Sequence, residues 1–334
     1  MRILVTGAGG FIGSHLVSSL KKKGHFVRGV DLKLPEFAPT CADDFIVDDL
    51  RDAKVADLVT RNMDDVYGLA ADMGGMGFIS CHHAQILHNN ALINLNTIEA
   101  ARKNEVRRYL YTSSACVYPE YRQTDIDAAP LKESDVYPAM PQDAYGWEKL
   151  VTERLALHYR EDYGMNVRIV RFHNVYGPFG TWCGGREKAP AALCRKIATA
   201  KLANNPLIEV WGDGQQTRSF MHIHDCLEGL ERIMESGYQE PINLGRDEMI
   251  SIDDLAYLIS KIAGYEIEIR HVSGPQGVRG RNSDNELCRK VLGWEPGITL
   301  EQGLRSTYAW IEQQVRGSAA ELEAGETKAD VLAA

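Results

Sequence analysis

The chain has 334 residues, 44% of them hydrophobic and 25% charged, a balance that belongs to a soluble globular protein and excludes disorder, collagen and coiled coil as the main architecture. At about 100–200 residues per domain, the length allows one large domain or two intimate ones. Lys plus Arg (37) against Asp plus Glu (46) leaves a formal charge of −9, which excludes general nucleic-acid binding and obliges any anionic ligand to find a local cluster of basic groups.

In chain order, residues 2–6 read as a short, branched, buried strand, 7–13 as a turn and 14–23 as a helix with a basic end suited to the helix dipole. Residues 26–31 read as a second strand and 65–71 as a third, followed by the loop Met73-Gly74-Gly75-Met76-Gly77. A helix over 89–103, a strand over 108–113, a long helix over 144–163 and a strand over 166–171 complete a first half in which strands and helices alternate. Such alternation predicts βαβ units with right-handed crossovers, hence an α/β fold with a doubly wound parallel (Rossmann) sheet. After Tyr176-Gly177-Pro178 the texture changes. Residues 180–190 form a loop rich in Gly and charge, 188–202 a helix, 208–211 a strand before the turn Gly212-Asp213-Gly214, 251–263 a helix with Ser251 as N-cap, and 301–315 a last helix. The expected organisation is a dinucleotide-binding domain over 1–175, with part of 212–245 returning to it. A smaller α/β substrate domain takes mainly 176–316, and 317–334 is an acidic, solvated tail.

Seven cysteines (Cys41, Cys81, Cys116, Cys183, Cys194, Cys226, Cys288) are odd in number and include no Cys-x-x-Cys, so neither a disulfide framework nor a zinc knuckle is expected. Reduced thiols in a cytoplasm are the plain reading. The N-terminus meets glycines too soon for a signal peptide, and no run reaches the roughly 18 apolar residues of a membrane span. His82, His83, His222 and His224 have no matching carboxylate pattern, and no metal is expected.

Gly7, Gly10 and Gly13 stand between a strand and a helix in a G-x-x-G-x-x-G spacing, with Phe11 and Ile12 inside it. Gly7 permits the tight turn, Gly10 lets backbone amides approach a pyrophosphate, and Gly13 lets helix and strand pack closely, with the helix N-terminus favouring phosphate. Asp31 ends the second strand, where a carboxylate accepts from ribose hydroxyls and repels a 2′-phosphate, which argues for NAD over NADP. Asp49 is a candidate partner for the adenine amino group. Tyr145 and Lys149 lie one helical turn apart on one face. A nearby ammonium, together with a positive nicotinamide, would favour tyrosinate, making Tyr145 a base for a sugar hydroxyl and leaving Lys149 to hold the nicotinamide ribose. Ser114 closes a strand at the carboxyl edge of the sheet, within reach of the same hydroxyl.

The glycine loop, Ser114, Tyr145 and Lys149 resemble the extended short-chain dehydrogenase/reductase superfamily of nucleotide-sugar enzymes, and Val210-Trp211-Gly212-Asp213-Gly214-Gln215-Gln216-Thr217-Arg218-Ser219-Phe220 resembles its nucleotide-binding strand and turn. Within it, five stretches resemble the GDP-mannose 3,5-epimerase family: Ala70 to Gly77, Ser113 to Cys116, Arg171-Phe172-His173-Asn174, Gly184-Gly185-Arg186-Glu187-Lys188-Ala189-Pro190-Ala191, and Gly280 to Asn285. That resemblance implies transient oxidation of a GDP-mannose at C4 by NAD, with Tyr145 as the base and Ser114 assisting. C5 and C3 are then inverted through Cys116 as base and Lys188 as acid, and re-reduction gives GDP-L-galactose and GDP-L-gulose. It further implies substrate contacts from Gly74, Asn174, Glu187, Ala189, Lys196, Gln216, Thr217, Arg218 and Arg281, with Lys196, Arg218 and Arg281 at the nucleotide diphosphate, and a homodimer. Three other readings are weighed. A GDP-L-fucose synthase-like epimerase/reductase would consume NADPH and use a His acid, against Asp31 and the Lys188 motif. A 4,6-dehydratase would need an acidic pair where Ala115-Cys116 stands. A non-catalytic NAD-binding protein of this fold would have lost Tyr145 or Lys149.

Overall fold

Strands that are apolar on both sides belong in the middle of a parallel sheet, because helices cover both of its faces. In the computed structural model, which describes residues 1–323, β1 (Arg2–Thr6) is such a strand, buried from Ile3 onward. It is followed by α1 (Phe11–Lys22), β2 (Phe26–Asp31), β3 (Asp44–Val47), α2 (Ala53–Thr60), β4 (Asp65–Gly68), α3 (Met76–Ile79), α4 (His83–Lys103), β5 (Arg108–Ser114), α5 (Ala144–Tyr163) and β6 (Val167–Phe172). The rest of the chain forms β7 (Asn174–Tyr176), α6 (Ala189–Leu202), β8 (Leu207–Trp211), β9 (Thr217–His222), α7 (Ile223–Glu235), β10 (Pro241–Leu244), β11 (Met249–Ser251), α8 (Ile252–Ala263), β12 (Glu268–Val272), β13 (Gly280–Arg281), α9 (Glu286–Leu292) and α10 (Leu300–Glu323).

Seven strands form one sheet in the order β10-β6-β5-β4-β1-β2-β3, every neighbouring pair parallel. This is a Rossmann-type doubly wound sheet. The chain works outward from β1 in one direction and then from β4 in the other, so the carboxyl ends of β1 and β4 border the crevice where such folds bind ligands. Its two faces carry separate apolar cores: Leu16, Leu20, Ile223, Leu230 and Ile233 on one side, and Val55, Val59, Ile98, Ala101 and Leu157 on the other. A third core gathers Ile197, Leu255, Leu304 and Ile311 from α6, α8 and α10. Beside it β9 pairs with β7, β11 and β13, and β8 pairs with β12. Ser251 caps α8, its Oγ accepting from the Asp254 amide at 3.0 Å.

The differences from the sequence reading have local causes. Helix α4 starts at His83 rather than at 89, because among residues 83–88 only Ile86 is buried and no apolar stripe marks the face. The strand expected over 65–71 ends at Gly68, where the amides of Leu69 and Ala70 donate to Thr6 Oγ1 and the chain goes on to line the crevice. Helix α10 continues past 315 through Glu323, so the expected tail from 317 begins as helix; its remainder, 324–334, lies outside the described residues. No helix among the described residues is long and apolar enough to cross a membrane.

Candidate active site

The crevice between the carboxyl ends of β1 and β4 opens into a cavity of about 1340 Å³, and every site residue expected from the sequence except Thr217 lines it. Thr217 instead turns its hydroxyl outward, donating to the Ile126 carbonyl.

At one end stands the glycine loop. Gly7 takes a left-handed φ of +69°, and a Cβ on Gly13 would lie 2.1 Å from the Gly7 carbonyl oxygen, so the turn can close on α1 only with glycine at both positions. Gly10 caps α1 without a side-chain hydrogen bond, leaving the first amides of a twelve-residue helix to a ligand. The Asp31 carboxylate accepts from the Gly9 amide at 3.0 Å and the Lys33 amide at 3.4 Å. Burial pushes its pKa up, and those two amides oppose the shift. This arrangement fits an adenosine ribose and a pyrophosphate. Asp49 is engaged by Arg51, whose Nη2 lies 2.6 Å away. The hydrogen bond from Arg51 holds the Asp49 carboxyl low, so an adenine must compete with Arg51 for it.

The middle of the cavity is the carboxyl edge of β5. Ser114 Oγ accepts from the Cys116 amide at 3.1 Å, fixing a short 3₁₀ turn over Ala115–Val117 that presents the Cys116 thiol. Behind it, Ser113 donates to Glu153 at 2.5 Å, and Glu153 forms a buried ion pair with Arg171 at 2.7 Å. Helix α5 approaches this turn so closely that a Cβ on Gly146 would meet the Cys116 carbonyl oxygen at 2.2 Å. Gly146 thereby lets its neighbour Tyr145 come in beside Cys116 and Ser114. Lys149 donates to the Thr112 carbonyl at 2.9 Å, and its ammonium lies 5.5 Å from the Tyr145 ring centroid. The expected preference for tyrosinate is not a property of these residues alone. Burial pushes Tyr145 well up, with Cys116, Glu148 and Asp143 adding to it, and burial also pushes Lys149 down. A phenolate here needs a further positive charge, which an oxidised nicotinamide carries.

A further part of the lining is made by two glycine-rich motifs packed together. The Gly75 amide donates to the Arg186 carbonyl at 3.0 Å, and a Cβ on Gly75 would sit 2.4 Å from the Glu187 carbonyl oxygen. Arg186 reaches back to Asp72 at 3.3 Å and lies 3.8 Å over the Phe78 ring. Glu187 is held by Arg195 at 3.0 Å. Lys188, next in sequence, is the N-cap residue of α6 and enters the cavity. Burial pushes its ammonium down; Cys116 opposes the shift and Arg281 adds to it.

Four cations, Lys188, Lys196, Arg218 and Arg281, line the cavity, yet none appears among the ion pairs of the described residues. Arg218 is bound only to carbonyls, those of Thr217 (2.7 Å) and Val278 (2.6 Å) among them, and burial with Arg281 nearby brings its guanidinium down to about 9. Gln216 Oε1 and Glu187 Oε2 are buried without a partner among the described residues. Asn174 donates to the Ser219 carbonyl at 3.0 Å and Lys196 to the Glu209 carbonyl at 2.8 Å. Arg281, expected at a diphosphate, has its Nη1 3.3 Å from the Cys116 sulfur. Among the described residues no group of His, Cys, Asp and Glu is arranged to hold a metal. The sequence reading missed the close contacts at Gly75 and Gly146. It also missed Gln123, which holds Arg281, and nothing in the local pattern around Gln123 signals that role.

Comparison with known proteins fits this geometry. The sequence profile described as the NAD dependent epimerase/dehydratase family matches residues 3–245. A GDP-mannose 3,5-epimerase of Arabidopsis thaliana is 51% identical over 317 residues, covering 94% of this chain and 83% of the relative. A GDP-L-fucose synthase of Escherichia coli (strain K12) is 29% identical over 328 residues, covering 94% and 98%. Among solved structures, a UDP-glucuronic acid 4-epimerase from Bacillus cereus in complex with UDP-glucuronic acid and NAD superposes with a TM-score of 0.79 at 28% identity, covering 94% of this chain and 100% of that one.

Proposed function

We propose that this chain, which belongs to the NAD dependent epimerase/dehydratase family, is an isomerase that converts GDP-D-mannose to GDP-L-galactose and GDP-L-gulose with bound NAD. The observation that carries this reading is the convergence of four cations without carboxylate partners, Lys188, Lys196, Arg218 and Arg281, on the cavity that also holds Cys116 and Tyr145. In a chain of charge −9, four half-buried cations with no carboxylate partner among the described residues suit an anion, and a nucleoside diphosphate supplies one. The 51% identity to a GDP-mannose 3,5-epimerase, against 29% to a GDP-L-fucose synthase, favours the epimerase, as does a lysine where the rival reading needs a histidine acid.

The glycine loop with Asp31 would hold NAD, which when bound would supply a reversible hydride acceptor for C4 and so not be consumed. Tyr145 takes the C4 hydroxyl proton, and Lys149 with Thr112 keeps that face of α5 against β5. The resulting ketone makes the hydrogens at C5 and C3 acidic, and the O–H groups of Tyr145 and Ser114 donate to the enolate oxygen. Cys116 removes a proton from one face of the ring, and Lys188, which lines the same cavity, delivers one to the other. In this reading residues 1–175 with part of 212–245 hold the dinucleotide, and 176–316 mainly hold the nucleotide sugar. The exposed side chains Leu87 and Leu95 of α4 and Trp147 and Val151 of α5 support a homodimer through these adjacent helices. All seven cysteines are free, in keeping with a cytoplasmic setting.

The test is incubation with GDP-mannose, with catalytic or no added NAD, followed by sugar analysis. New hexoses without net NADH change are expected. Stoichiometric loss of NADPH would favour the reductase reading, and absence of turnover a non-catalytic NAD-binding protein.

A further inference from the structure

Gln123 is buried, 1% exposed, and every hydrogen-bonding group of its side chain is engaged. Its Nε2 donates to the carbonyls of Tyr118 and Pro119, both at 3.1 Å, at the end of the turn that carries Cys116. Its Oε1 accepts from Arg281 Nε at 2.5 Å. Its backbone carbonyl accepts from the amides of Arg279 (2.8 Å) and Gly280 (3.2 Å). One residue therefore staples the Cys116 turn to β13, and the staple leaves Arg281 Nη1 3.3 Å from the Cys116 sulfur.

The identity of the fastener matters. A planar guanidinium presents Nε and Nη1 in a fixed fork, so whatever grips Nε also aims Nη1. A carboxylate could grip Nε as well, but it would cancel the charge. An amide holds the guanidinium and leaves its full positive charge to the groups facing it, which include Cys116, Lys188, Arg218 and His173. A guanidinium N–H held on the Cys116 sulfur stabilises the negative charge that develops there as the thiol reacts, and the same cation makes a facing ammonium a readier proton donor.

We propose that Gln123 is a positioning residue of the epimerase site, locking Arg281 onto the Cys116 sulfur while leaving the guanidinium uncompensated. The proposal rests on the acid/base reading of Cys116 and Lys188, and its first test needs no turnover. The alkylation rate of Cys116 by iodoacetamide is followed near neutral pH, by mass spectrometry of the peptide that contains it, in the full chain without substrate. In Gln123→Met the rate is expected to fall about tenfold, the loss of one charge-assisted hydrogen bond, with the melting temperature showing a folded protein. In Gln123→Glu, which still accepts from Arg281 Nε, the rate is also expected to fall, because the charge is cancelled; a purely mechanical fastener would be served by either acceptor. Should either variant fail to fold, Arg281→Lys keeps the charge, removes the fork, and is expected to show the same slowing. A wild-type alkylation rate in any folded one of these variants overturns the proposal. As a second readout, the limb of the pH profile of solvent-deuterium exchange that belongs to Lys188 is expected to move to higher pH in Gln123→Glu, and an unmoved limb also overturns the proposal. If the wild type does not turn over GDP-mannose, the functional reading fails while the alkylation comparison still decides the role of Gln123.

Discussion

The contact between the two glycine-rich motifs makes Gly75→Ala an informative substitution. Gly75 has φ −71° and ψ 178°, which alanine adopts freely, so the change adds no backbone strain. Its whole effect is the new Cβ, 2.4 Å from the Glu187 carbonyl oxygen, where ordinary contact begins at 3.4 Å. Something must give by about 1 Å, and the atom in the way belongs to the peptide that leads into Lys188. A misplacement of that size costs roughly 100-fold when the displaced group takes part in the chemistry, or about 3 kcal/mol of barrier. The assay is incorporation of solvent deuterium at C3 and C5 of GDP-mannose, read by NMR, with bound NAD measured alongside. Exchange is expected to fall by about two orders of magnitude with NAD content unchanged. Gly77→Ala is the control from the same motif, because its Cβ would meet nothing closer than Trp211 at 3.6 Å, and it is expected to stay within about threefold of the parent. Full exchange in Gly75→Ala, or equal damage in Gly77→Ala, would refute the steric argument.

Cys116→Ser and Lys188→Ala are each expected to abolish deuterium incorporation while substrate binding, followed by calorimetry, persists; normal exchange in both ends their acid/base assignment. Tyr145→Phe is expected to block C4 oxidation, seen as absence of transient NADH absorbance, and retained turnover would contradict the role. Burial, with Arg281 nearby, holds His173 down to about 3, and burial with His224 and His15 holds His222 down to about 4. Unfolded histidine titrates near 6.5, so on acidification the unfolded chain takes up protons first. Stability is then lost below about pH 6.5, each residue contributing about 2 kcal/mol of loss between pH 7 and pH 5. Scanning calorimetry should show the melting temperature falling over that window, less steeply in His222→Gln, and a flat profile would sink the assignment.

Segments whose pattern is local could be read from the sequence with little error. β1 and α5 have the bounds that their apolar run and helical period predict. β10 begins at Pro241 and spans four residues, and β13 spans two; neither carries a signal of its own, because each is a strand only by virtue of its neighbour. α7 is different: Ile223, Leu227, Leu230, Ile233 and Met234 carry the helical period plainly, a local signal that the expected elements do not include. In the site, spacing brings Tyr145 and Lys149 together but says nothing of their burial, which opposes the phenolate and leaves it to the charge of a nicotinamide. The contacts of Cys116 with Arg281 and of Gly75 with Glu187 span 165 and 112 positions respectively, and no pattern within one sequence reports such pairs.

The cluster of like charges in the cavity has a thermodynamic corollary. Arg281 repels both Lys188 and Arg218, and Arg195 repels Lys196, an electrostatic tension that a multivalent anion relieves. Folding and occupancy are therefore linked: a nucleotide at about a hundred times its Kd adds roughly 2.7 kcal/mol to the native state. Heat resistance should rise with nucleoside diphosphate even when no sugar is attached, and storage in simple monovalent buffer should leave the protein at its most fragile.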